Sequence, residues 1–378
     1  MSNFYCAAPW RGLHINISGD VKTCCAGKLN MLGNLNSKNI QQILDGPELR
    51  EIRSVLRQGR PHDYCVHCLD RESKGSESER TWHNKRNEEF DPGLAGLEYQ
   101  YPTLLDIRWN NTCNLSCNYC TPNDSSKWSA IKKIPSNSST RKYYMDVCEF
   151  IEKNKTHIQE VALVGGEPLL LPENETLLDV IPADATVTVI TNLNTVLENN
   201  KIFQKLSQRQ RVGWSMSFDN IGSRFEYVRH GAKWDLQLHN LDLVQNLMRP
   251  NKHWGGIHAV YNLYNATHLV EFKQFAAQRG LSIKWQNLGG PKALDPRLYG
   301  KQIARLAAEE INRVFDQCSV NDEERLLFGT ALSHYQSVTE LCPEMLPQLK
   351  KFVEQIEQYH PDQQGKFAQL WPEISSLL

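Results

Sequence analysis

Leu104-Leu105-Asp106-Ile107-Arg108-Trp109-Asn110-Asn111-Thr112-Cys113-Asn114-Leu115-Ser116-Cys117-Asn118-Tyr119-Cys120 is the stretch that decides how the rest of the chain reads. It opens as a strand, Leu104–Trp109, and runs into a loop with three cysteines spaced Cys113-x3-Cys117-x2-Cys120. Three thiolates in one loop can hold three irons of a cubane 4Fe–4S cluster and leave the fourth iron open to an exchangeable molecule. Two plainer readings stand beside this one. Free cysteines often serve as small core hydrophobes. A structural zinc ion also takes thiolates, usually four of them in paired C-x-x-C units.

Downstream, Val161-Ala162-Leu163-Val164-Gly165-Gly166-Glu167-Pro168 is an apolar strand that ends in two glycines, a carboxylate and a proline. Glycine lets the backbone approach a neighbour closely, and proline fixes the turn. From 103 to 290, strand-like and helix-like segments alternate. Strands are expected at Leu104–Trp109, Glu160–Val164, Thr186–Thr191, Val212–Phe218, Ile257–Tyr261 and Ser282–Trp285. Helices are expected at 140–153, 198–208, 235–248 and 267–279, with Thr267 capping the last. This alternation predicts an α/β fold with a parallel sheet and helices outside it.

The three-cysteine loop, with aromatic Tyr119 before its last cysteine and Gly165-Gly166-Glu167-Pro168 after the next strand, resembles the radical S-adenosylmethionine (radical SAM) superfamily. The resemblance implies a partial (β/α)6 barrel over 101–295, with its chemistry at the C-terminal ends of the strands. It implies that S-adenosylmethionine chelates the open iron of a cluster held by Cys113, Cys117 and Cys120 as the catalytic ligands. One electron then yields a 5′-deoxyadenosyl radical, which takes a hydrogen atom from the substrate. The same resemblance puts Gly165, Gly166 and Glu167 at the cofactor's amino group, Ser217 and Arg229 at its carboxylate or ribose, and Tyr119 on its adenine. Thr191, Asn192 and Asn262 fall at strand ends, suited to ribose contacts but equally to turns. Arg229 suits an ordinary surface ion pair as well.

Residues 1–70 form a cysteine-rich block with Cys6-x12-Gly19-x4-Cys24 and Cys65-x-x-Cys68. Four thiolates can ligate a second 4Fe–4S cluster completely, or a zinc ion. Cys25, beside Cys24, is an alternative ligand. The block resembles the SPASM/twitch class of auxiliary-cluster domains, which implies one auxiliary cluster bound by Cys6, Cys24, Cys65 and Cys68. In that class the block usually follows the barrel; here it precedes it. Residues 71–100 read as a polar linker, and 296–378 as a helical C-terminal region with apolar spacing at Ile303, Leu306, Ala307, Ile311 and Val314. Cys148 is expected in the core. Cys318 and Cys342 read either as ordinary thiols or as hydrogen-atom donors to a substrate radical.

The 378 residues carry a net charge of −1, which offers no basic field to nucleic acid or anionic membrane. No apolar run is long enough to span a bilayer, and Met1–Cys6 lacks the features of a signal peptide. A cytoplasmic location is therefore expected, with the eleven cysteines serving as metal or redox ligands rather than disulfides. The family resemblance implies a peptide or protein substrate, modified by crosslinking, epimerisation or oxidation, and an electron donor such as flavodoxin or ferredoxin. A small-molecule substrate is the alternative. A reading from another class, a non-catalytic metal-stapled binding protein, leaves Gly165–Pro168 without a use.

Overall fold

Residues 104–287 form six parallel strands, as the alternation predicts, and three shorter strands from the N-terminal block join them. The strands are β1 (Gly12–Ile15), β2 (Asp20–Lys22), β3 (Gly33–Asn34), β4 (Leu104–Arg108), β5 (Glu160–Val164), β6 (Thr186–Thr191), β7 (Val212–Ser217), β8 (Trp254–Tyr261) and β9 (Ile283–Asn287). The computed structural model describes residues 4–73, 77–89, 96, 101–135, 143–248, 253–338 and 345–378. All nine strands lie in one sheet, in the order β3-β2-β1-β4-β5-β6-β7-β8-β9. The run from β4 to β9 is the partial barrel.

Alternation along the strands sets the two faces. Leu105, Ile107, Val161, Leu163, Val187, Val189, Trp214, Met216, Ile257 and Ala259 are buried on the face covered by helices. Each such side chain contributes about 1.5–3 kcal/mol. A slip of one residue would turn them all inward, so this face fixes the register. The opposite face is polar and half-buried. It carries Asp106, Arg108, Thr188, Ser215, Ser217 and His258 and is the inner, or lumen, side of the sheet.

The intervening helices are Tyr144–Lys153, Pro172–Val180, Lys201–Gln208, Trp234–Met248 and Leu269–Gln278. Pro172–Val180 escapes the sequence reading because its first turn is polar, although Asn174, Leu177 and Leu178 are buried. Thr267 does not cap its helix: the N-cap is His268, and the Thr267 hydroxyl donates to Glu373 of the C-terminal region (2.9 Å). β8 begins three residues earlier than expected, at Trp254, and β9 ends two later, at Asn287.

The N-terminal block is continuous with the barrel sheet. β1 pairs in parallel with β4, Gly12 opposite Leu104 and Ile15 opposite Ile107, and β2 returns antiparallel to β1. The described part of the polar stretch after residue 70 includes the end of the helix Val66–Ser73 and the helix Glu79–Arg86, and the second is docked. In the helix Glu79–Arg86, Asn84 accepts from the Ala7 amide and donates to the Tyr5 carbonyl, both at 2.9 Å, and so holds the chain on either side of Cys6. The C-terminal region is helical, with Lys301–Gln317, Asp322–Ser337 and Met345–Tyr359 as its long members. It adds two small cores, one around Ile311, Val314 and Phe328 and one around Tyr227, Tyr264 and Trp371.

Candidate functional site

The three-cysteine loop leaves the C-terminal end of β4, and its backbone is held from three directions. The amide of Glu167 donates to the Thr112 carbonyl (2.8 Å) and that of Gly166 to Asn110 (3.3 Å). Ser116 and Asn118 donate their amides to the carbonyls of His230 and Val228 (2.9 Å each). The Trp128 indole N–H donates to the Cys117 carbonyl (2.8 Å). The C-terminal region braces this arrangement: His230, whose ring lies 3.1 Å from the Ser116 hydroxyl, stacks on His360 at 3.6 Å. Gly165 has φ +137°, which excludes other residues there. A Cβ on Gly166 would lie 2.3 Å from the Thr112 carbonyl oxygen. In this structure the glycine pair therefore admits the cysteine loop itself. Gly166→Ala is expected to push that loop away, lowering stability by about 1–3 kcal/mol and iron content with it. Anaerobic thermal melting and iron analysis would measure both, and an unchanged melt would contradict the packing argument.

The thiols converge. Burial pushes Cys113 up to about 12, while the Leu115 amide and Asn192 Nδ2 donate to its sulfur at 3.5 and 3.7 Å. Cys117 and Cys120 share a hydrogen bond, which holds Cys117 below and Cys120 well above the ordinary thiol value.

Glu167 is fully buried. Its Oε1 accepts from the Thr191 hydroxyl (2.7 Å) and the Leu169 amide (3.1 Å), and its Oε2 from the Asn192 amide (2.6 Å). Burial raises its pKa to about 7 against these donors. Thr191 and Asn192 thus stand beside Glu167, and Asn192 also reaches the cysteine loop through Asn114 Oδ1 (2.9 Å). Ser217 lies half-buried on the lumen side. Asn262 is committed to its own turn, accepting from the Tyr264 amide and donating to the Val260 carbonyl, both at 2.8 Å.

Arg229 is neither a surface ion pair nor a free clamp. It is 6% exposed and pairs with fully buried Asp219 at 2.8 Å, while its Nη2 donates to the Tyr119 hydroxyl (2.7 Å). Tyr119 donates in turn to Asp219 Oδ2 (2.5 Å), and Asp219 Oδ1 accepts the Val260 amide (2.9 Å). This closed triad ties β7 and β8 to the cysteine loop. Sequence reasoning passed over Asp219 as a site residue, although it stands two positions after Ser217.

Cys6, Cys24, Cys65 and Cys68 line one pocket, together with Tyr64 and Arg80. Cys25 is exposed and outside it. Because β2 runs against β1, this pocket lies at the N-terminal end of β1 and the C-terminal end of β2, and the three-cysteine loop lies at the C-terminal end of β4. The five residues of β4 separate the two levels by about 16 Å along the sheet. Burial raises Cys6 and Cys24 well above the ordinary thiol range and Cys65 to about 12, so bare thiolates are disfavoured until a cationic group joins them. Tetrahedral zinc draws its sulfurs to within about 3.8 Å of one another. Among the described residues, no group of three or more Cys, His, Asp or Glu side chains stands ready to hold a single metal ion. Four thiols around one pocket are a donor set that can ligate a 4Fe–4S cluster completely. Cys148 is buried, as expected; Cys318 lies beside the N-terminal end of β9, away from both sets; Cys342 lies outside the described residues.

Residues 6–69 match the SPASM iron–sulfur cluster-binding domain, and residues 106–219 match a 4Fe–4S single cluster domain. Both matched domains bind iron–sulfur clusters, in agreement with the two sets of cysteines. The two matches support 4Fe–4S clusters as the chain's cofactors, one of them in the N-terminal block. Over 89 residues the chain is 36% identical to a 7-carboxy-7-deazaguanine synthase of Clostridium acetobutylicum, a match that spans 23% of this chain and 36% of that one. Among solved structures it is similar to anSMEcpe with AdoMet and a peptide bound (16% identity, TM-score 0.40, 60% of this chain and 61% of that one). It is also similar to SuiB of Streptococcus suis (13% identity, TM-score 0.40, 84% and 69%). The chain thus matches about a third of the curated relative's length and less than two thirds of the anSMEcpe chain. No helix among the described residues is long and apolar enough to cross a membrane.

Proposed function

We propose that this enzyme takes a hydrogen atom from a peptide substrate, with Cys113, Cys117 and Cys120 ligating the cluster that meets S-adenosylmethionine and Cys6, Cys24, Cys65 and Cys68 ligating the auxiliary cluster. The observation that carries this reading is the pair of thiol sets at opposite ends of one sheet, with a polar lumen beside them. When bound, the first cluster and S-adenosylmethionine supply a 5′-deoxyadenosyl radical by one-electron cleavage. The residues of the chain orient and shield. Thr191, Asn192 and Leu169 fix both oxygens of Glu167, which would accept from the cofactor's amino group. Gly165 and Gly166 set the cysteine loop at its distance from that carboxylate. Asp219 and Arg229 hold the Tyr119 ring in place, and Ser217 offers a hydroxyl from the lumen wall. Asp106 and Arg108, paired at 3.3 Å, give the lumen side a charged lining suited to polar groups of a peptide, with buried His14 2.9 Å from Asp106 holding that carboxylate. A soluble reductant of the flavodoxin or ferredoxin kind fits the electron requirement.

The carboxyl group of Glu167 gives the cofactor a pH dependence. Its folded pKa of about 7 lies above the ordinary 4.5, so its protonated form stabilises the empty site. That stabilisation is complete below about 4.5 and is lost as pH rises through about 7. The N–H donors of the cofactor's amino group favour the carboxylate over the protonated carboxyl, so affinity for S-adenosylmethionine is expected to rise between pH 6 and about 8. Binding near pH 7 should release a proton, visible by calorimetry in buffers of different ionisation heat. Glu167→Gln should flatten this profile; a slope that survives the substitution would assign the proton elsewhere.

The similarity to a synthase named for a small-molecule product favours a second reading, a small substrate in the same lumen. One experiment separates the two. A heat-cleared cell extract is split by size, and each fraction is tested for stimulation of 5′-deoxyadenosine formation, with and without protease. Stimulation by a large, protease-sensitive fraction supports the peptide. Stimulation by a small, protease-resistant fraction overturns it in favour of the second reading.

A further inference from the structure

Arg80 lines the four-cysteine pocket although it comes from the polar stretch that reads as a linker. Its guanidinium is held rigidly. Nε donates to Glu72 Oε1 (2.9 Å), Nη2 donates to Oε2 of the same carboxylate, and Nη1 donates to the Tyr5 carbonyl (2.9 Å), one residue before Cys6. The Ser78 hydroxyl also donates to Glu72 Oε1. Glu72 does not line the pocket. The ion pair is therefore polarised, with its cation toward the thiols and its carboxylate behind. The Arg80 charge acts on Cys6 and Cys68 across the pocket. The remaining wall is largely apolar, with Ala8, Pro9 and Ala26, so little there screens that charge.

We propose that Arg80 sets the reduction potential of the auxiliary cluster, holding it high with a fixed positive charge, and that Glu72 behind it limits the effect. This rests on the reading of Cys6, Cys24, Cys65 and Cys68 as that cluster's ligands. Reduction adds one electron to a cluster with four thiolates and breaks no bond, so the whole charge change falls on the cluster and its surroundings. A cation facing the pocket stabilises the more negative, reduced form, and an anion near it does the reverse. Arg80 acts through this field, as a positioning residue, without touching substrate.

The test uses the full chain carrying Cys113→Ala, Cys117→Ala and Cys120→Ala, reconstituted anaerobically so that only the auxiliary cluster remains. The cluster is titrated with dithionite and followed by electron paramagnetic resonance. Arg80→Gln is expected to move the midpoint to more negative values and Glu72→Gln to more positive ones, with Arg80→Lys close to the parent. Midpoints that stay together across the set, with about four irons per chain retained, would overturn the proposal. If Arg80→Gln fails to hold its irons, the rise expected of Glu72→Gln still decides. A parent variant with almost no iron would instead overturn the ligand assignment on which the proposal rests.

Discussion

Cys117→Ala is expected to abolish 5′-deoxyadenosine formation and to lower the iron content from about eight to about four per chain. Cys117 is the most buried of the three loop thiols, and its carbonyl takes the Trp128 indole N–H. With three ligands there is no spare to replace it. The four-cysteine pocket, at the other end of the sheet, should keep its irons. Cys25→Ala is the matching control: its side chain is outside the pocket, and both iron content and cofactor cleavage should stay at the wild-type level. Residual cleavage in Cys117→Ala above a thousandth of wild type would show that the cluster finds a ligand elsewhere.

The second large effect is on stability. Asp219→Ala is expected to destabilise the fold by about 3–5 kcal/mol, because it leaves the Arg229 charge buried with its main partner gone. It also strands the Val260 amide and the Tyr119 hydroxyl, which both end on Asp219. Asp219→Asn keeps the shape and should cost less. The double change Asp219→Asn with Arg229→Met removes both charges and should recover part of the loss, since a buried pair can be replaced by apolar packing more cheaply than it can be broken. Anaerobic urea midpoints at equal slope would measure the series. A loss below about 1 kcal/mol for Asp219→Ala would mean that water reaches Arg229.

What the sequence made legible follows the range of the interactions. The barrel strands were readable because alternation is local: Leu105, Ile107, Val161 and Leu163 repeat every second residue. The cysteine loop and Gly165-Gly166-Glu167 were readable because their spacings are short. The pairing of β1 with β4 was not, since nothing near Gly12–Ile15 names its partner in Leu104–Arg108. The closed triad of Tyr119, Asp219 and Arg229 joins three separate segments, so Arg229 looked free from its neighbours alone. Asn262 carried two readings that only geometry could separate. Arg80 was hidden in a run of charges that, by composition, belongs on the surface.

The pairing of β1 with β4 also sets an order of assembly on the ribosome. The N-terminal strands emerge first, yet the strand they dock on follows about ninety residues later, a wait of roughly 5–20 s at ordinary rates of translation. Until then β1 and β2 are a hairpin with an unpaired edge, and the four cysteines around them have no fixed wall. The block that carries Cys6, Cys24, Cys65 and Cys68 is therefore completed only after β4 has emerged, and until then its thiols lack their final arrangement.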